Sequence, residues 1–160
     1  MNGKRALVLS LAAFYLGHLV YYYPRLPERI ASHFNHLGEP DGWMSKANFM
    51  IFEVVLLAFV LGLFRLISFS FEKMPISLIN LPNKEYWLAP ERRSETFRVL
   101  KENLETLQIA LLAMLVSINQ MAFRANIDRE NLSPASWLVI GAFVIFTIIW
   151  TVKLNRKFKI

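Results

Sequence analysis

The chain has 160 residues, about one domain by length, and 55% of them are hydrophobic, above the ~45–50% usual for soluble domains. It contains no cysteine, which excludes disulfides and thiolate metal sites. Its net charge of +6 comes from lysines and arginines that flank apolar runs instead of lining one continuous face, so the basic balance points to membrane orientation and no nucleic-acid partner is expected.

Apolar residues collect in four blocks, 6–23, 48–71, 104–123 and 135–153. Each is close to the ~20 residues that carry a helix across a hydrocarbon core about 30 Å thick. The expected fold is an all-α membrane protein with four transmembrane helices in a single integral domain over residues 1–160. A soluble bundle would need polar stripes at helical period, and the last block, ASWLVIGAFVIFTIIWTV, has none.

The first block follows Lys4 and Arg5 as a secretory signal would. No small-residue cleavage site follows, and the run ends in Tyr21, Tyr22 and Tyr23 before Pro24, an aromatic girdle suited to a retained helix. The connection 24–47 is unusually constrained. Pro24 and Pro27 stiffen its start, and Gly38-Glu39-Pro40-Asp41-Gly42 supplies turn residues, so a shaped loop is expected.

That loop offers His33, Asn35, His36 and Asp41 as nitrogen and oxygen donors. His33, His36 and Asp41 form a two-histidine, one-carboxylate set suited to a divalent metal such as zinc, although His-Phe-Asn-His matches no strong zinc motif. The alternative is that His33 and Asn35 bond the loop's own backbone and seat it on the helix ends, with Trp43 and Lys46 marking re-entry into the membrane.

In the second block Arg65 is the one cation, placed near an end where its stem can snorkel to the interface. Residues 72–103 form a connection in which Pro75, Pro82 and Pro90 break regular helix over 74–90, with Tyr86 and Trp87 as interfacial anchors. Beyond Pro90, Phe97, Leu100, Leu104, Leu107 and Leu111 recur at three- and four-residue spacing without a breaker. One long helix over about 91–123 is expected. Ser133 and Pro134 read as the N-cap and first position of the last helix.

Basic residues number two before the first helix, three in the first connection, six in the second, two in the third and four at the C-terminal end. With four spans, twelve share a side with both termini and five lie opposite, which places the termini and 72–103 in the cytoplasm and the loop 24–47 outside. In that orientation His18, Glu53, Asn119 and Gln120, polar residues within three of the spans, fall at one depth beneath the loop. Such groups either bond across helices or line a pocket.

The run Leu26-Pro27, Ile30, His33-Phe34-Asn35, Gly38-Glu39-Pro40-Asp41-Gly42-Trp43 and Ser45-Lys46 resembles the signature of the domain of unknown function 1648 family. Pro27, His33, Asn35, Gly38, Asp41 and Lys46 fall on that pattern. The resemblance implies a multipass inner-membrane protein of bacteria or archaea, and some larger relatives are immunity proteins against a secreted peptide toxin.

The favoured function is binding or sensing of an envelope peptide or protein ligand, peptide-toxin immunity being one form, through His33, Asn35, His36, Asp41 and Lys46 with His18, Glu53, Asn119 and Gln120 beneath. A metal-dependent membrane enzyme using His33, His36, Asp41 and Glu53 is the alternative, disfavoured because no nucleophile motif accompanies it. A small transporter or accessory subunit, with Glu53 and His18 as a proton relay, would require an oligomer.

Overall fold

The computed structural model describes residues 3–160. Four long helices, each apolar enough to cross a membrane, dominate it. They are α1 (Gly3–Tyr22), α2 (Lys46–Ser70), α4 (Pro90–Asp128) and α5 (Ala135–Lys157), with two short helical turns, a 3-10 turn (Ile76–Leu78) and α3 (Lys84–Trp87), between the second and third. The first connection contains two strands, β1 (Arg29–Phe34) and β2 (Pro40–Ser45), paired as an antiparallel hairpin. The expected all-α class therefore holds for the spans, and the shaped loop is a small sheet.

Each helix in the bundle presents a narrow stripe to its neighbours. On α1 the buried positions Val8, Ala12, Tyr15 and Leu19 recur every three or four residues, as do Phe49, Glu53, Leu57, Val60 and Phe64 on α2. These stripes meet Leu112 and Phe123 of α4 in one core. The remaining faces expose large apolar side chains such as Phe14, Phe52 and Phe59, as a lipid solvent permits. Helix α5 fully buries only Ser136; Val139, Phe143, Phe146, Trp150 and Leu154 form a half-buried stripe on the side that packs along α4, and its other faces are exposed.

Local chemistry sets the helix ends. Ser45 caps α2 by accepting from the Asn48 N–H at 3.2 Å. Pro90 opens α4, which closes on Arg129 in the left-handed conformation. The long helix runs five residues past its expected end, and its 39 residues, about 58 Å, outreach a bilayer core of ~30 Å. Ser133 does serve the start of α5, accepting from the Ala135 N–H at 3.3 Å, with the helix beginning one residue later than Pro134.

At the end away from the hairpin, residues 71–90 fold back on the stem of α4 and on the C-terminus. Ile79, Leu81, Leu88, Phe97 and Leu100 surround Phe158 in a second cluster. Trp87 is half-buried against this cluster. Its Nε1 donates to the Phe158 carbonyl at 2.8 Å, joined by Asn83 Nδ2 at 3.1 Å, so the indole is spent on closing this cluster. Lys101 reaches Glu72 just beyond α2 and holds that carboxyl below the ordinary carboxylate range.

Candidate functional site: a clamped hairpin over a polar core

The hairpin is held at three points. Asn126, near the end of α4, accepts from the Ala31 N–H at 2.7 Å and donates to the Ala31 carbonyl at 3.1 Å, so one amide replaces a strand on the outer edge of β1. At the tip, Gly38 has φ +82, a left-handed value that favours glycine, and its carbonyl accepts from the Leu132 N–H at 2.8 Å. A Cβ on Gly38 would stand 2.6 Å from the Leu132 carbonyl oxygen. At the base, buried Lys46 reaches Glu28 at 2.8 Å and the Leu26 carbonyl at 3.3 Å, beneath the Tyr23 ring. Lys46 is thus a paired structural cation.

Asn35 organises the turn. Its Oδ1 accepts from the N–H groups of Leu37 and Glu39, at 2.9 and 3.0 Å, while Nδ2 donates to the Glu39 carboxylate at 2.8 Å. Gly42 stands opposite His33, and a Cβ there would come within 2.8 Å of the histidine Cβ. The strands approach closely, and His33 Nδ1 pairs with Asp41 across them.

What these clamps leave free is the outer surface. The His33 side chain is 72% exposed, and His36, Leu37 and Trp43 are also exposed, Trp43 beneath the Arg29 guanidinium. Residues facing each other in an antiparallel pair direct their amide groups the same way, toward each other or apart. Ala31 faces Trp43 and points its own N–H and carbonyl away, to Asn126, so those of Trp43 also point away from β1. No partner on the other side meets them among the described residues.

Beneath the hairpin the four polar residues expected at one depth do meet, in two separate networks. In the first, Tyr15 of α1 donates to Glu53 of α2, and Asn119 Nδ2 of α4 lies 2.8 Å from Glu53 Oε2 and 2.9 Å from the Tyr15 hydroxyl. All three are buried, and each comes from a different helix. In the second, His18 Nε2 and Gln120 Oε1 are 2.8 Å apart, and Gln120 Nε2 donates to the Tyr22 hydroxyl at 2.8 Å. The His18 ring also stacks on Phe123, with centroids 5.2 Å apart. His18 and Glu53 therefore do not pair, contrary to the relay considered from sequence.

Tyr15 and Tyr22 complete these networks but read in sequence as apolar and girdle residues. Spacing was the available signal, since Tyr15 and Tyr22 lie three and four residues from His18 on its helix face. The proposed metal set does not assemble either. His33 and Asp41 meet across the strands, whereas His36 sits in the turn on the far side of Asn35, and no group of three His, Asp or Glu residues gathers among the described residues.

Four membrane-length helices with a strand hairpin clamped over a buried polar core define a multipass helical membrane protein. Residues 10–61, from within α1 through the hairpin into α2, match the family described as Domain of unknown function (DUF1648). No curated protein and no solved structure matches it.

Proposed function

We propose that the hairpin is a recognition surface for an extended peptide or protein segment in the cell envelope, and that the chain binds or senses that ligand from the inner membrane. The observation that carries this reading is the division of labour within the hairpin. Asn126, Lys46, Asn35 and Gly38 are consumed in fixing its shape, whereas His33, Asp41, His36 and Trp43 remain exposed on it. An unpartnered amide edge at Trp43 suits strand addition, in which a ligand backbone gives affinity and flanking side chains give specificity. The buried networks then act as the rigid support of this platform.

The basic-residue count supports an outward hairpin, with both termini and residues 72–103 in the cytoplasm. Peptide-toxin immunity is the form of the activity that the family resemblance suggests. The test is survival of cells expressing the chain when challenged with envelope-active secreted peptides. His33→Ala, Asp41→Asn and Trp43→Ala should each weaken protection at unchanged membrane content, and protection equal to wild type in all three would refute the proposal.

A further inference from the structure

A second feature lies at the opposite end of the bundle. A groove of about 660 Å³ opens between α1, α2 and α4. Its walls are apolar, formed by residues such as Val8, Leu61, Phe64 and Leu104, and its mouth carries Arg5, Arg65, Lys101 and Glu105. Arg5 is paired with Glu105 at 2.8 Å and Lys101 with Glu72. Arg65 makes no ion pair or hydrogen bond among the described residues, so the mouth keeps one uncompensated cation.

Deeper along the same groove lies Gln108. Its side chain belongs to a residue only 8% exposed, it lines the groove, and it has no hydrogen-bond partner among the described residues. Every other buried amide of the bundle is satisfied: Asn119 by Tyr15 and Glu53, and Asn126 by Ala31. Its amide atoms are not sealed in the interior and open to the groove, where an acceptor from a bound molecule can reach them. Gly62 widens the same groove, since a Cβ there would meet nothing within 4 Å.

A free cation at the rim, an apolar trough and a donor partway along it match the parts of one amphiphile. We propose that this groove binds a single anionic phospholipid, with the headgroup phosphate at Arg65, an acyl chain along Leu61, Gly62 and Phe64, and an ester carbonyl accepting from Gln108 Nε2. Basic pockets between helices are a recurrent way of holding such headgroups.

The test is native mass spectrometry of the full chain in mild detergent, with phosphatidylglycerol or phosphatidylcholine of identical acyl chains added. Wild type should retain one phosphatidylglycerol per chain with about a fivefold preference, the worth of one basic residue near a membrane surface. Arg65→Gln should abolish the preference while leaving lipid bound, because it removes the cation and keeps the trough. Gly62→Leu should reduce retention of both lipids by filling the trough. Equal retention of the two lipids by wild type would overturn the assignment, as would an unchanged preference in Arg65→Gln. A lipid-free dimer would give the groove to a second copy of the chain and overturn it equally. Arg65 is exposed, so its variant is expected to fold, and it decides the question even where Gly62→Leu does not accumulate.

Discussion

Replacing Asn119 with alanine should loosen the whole three-helix unit, because this one amide joins α4 to both α1 and α2. It donates to the Tyr15 hydroxyl and to Glu53 Oε2 at 2.9 and 2.8 Å, and removing it deletes both contacts. Hydrogen bonds between membrane helices average about 0.6 kcal/mol and reach ~1.7, so the pair is worth about 1–3 kcal/mol. The buried Glu53 carboxyl also loses a donor, which places the expected loss near 2 kcal/mol, roughly a thirtyfold fall in the folded-to-unfolded ratio. The assay is unfolding in mild detergent titrated with a denaturing one, with Ser117→Ala as the reference. Ser117 is only half-buried on the same helix and bonds the Ala113 carbonyl one turn back, outside the network. Tyr15→Phe should cost less, and the double variant should fall short of additivity by about 1 kcal/mol, since both act on one network. An Asn119→Ala midpoint equal to that of Ser117→Ala would refute the network as a source of stability.

Asn126→Ala should free the hairpin without unfolding the bundle, seen as faster amide hydrogen exchange over residues 29–34 than in wild type, while exchange in α2 stays unchanged; equal protection of 29–34 in Asn126→Ala and wild type would show that the clamp is redundant. Gly38→Ala should cost about 1–2 kcal/mol from its left-handed φ alone, with more from the 2.6 Å approach to Leu132, and should raise exchange in the 129–134 loop as well as at the tip. Trp87→Phe removes the donor to the Phe158 carbonyl and should increase proteolysis within 74–90, whereas Tyr86→Phe, at an exposed ring beneath Arg92, should not.

The spans were legible because a membrane helix writes itself as a long uninterrupted apolar block, and even the extended α4 showed its lack of a breaker after Pro90. The coincidence of His18, Glu53, Asn119 and Gln120 at one depth was legible for a similar reason, since helix length fixes depth. Their pairing was not. Which face each residue takes depends on helix rotation, and the tyrosines that complete the networks carry their hydroxyls on rings that count as apolar in any periodicity. The hairpin was legible as a constrained loop but not as two strands, because RIASHF and PDGWMS alternate weakly and the second begins with proline. Its edge is satisfied by Asn126, 95 positions away, and no local pattern announces such a partner. The histidines suggested a metal by composition, and the turn set by Asn35 carries His36 away from the His33–Asp41 pair.

Since the chain has no cysteine, single thiols can report which face of the membrane each end occupies. Leu37→Cys, at the exposed tip of the hairpin, should react with a membrane-impermeant maleimide on intact cells, and Ser77→Cys, in the opposite connection, only after permeabilisation. That result would place the hairpin where an envelope ligand can reach it. Labelling of Ser77→Cys on intact cells, with Leu37→Cys protected until permeabilisation, would turn the hairpin to the cytoplasm and contradict its role as an outward recognition surface.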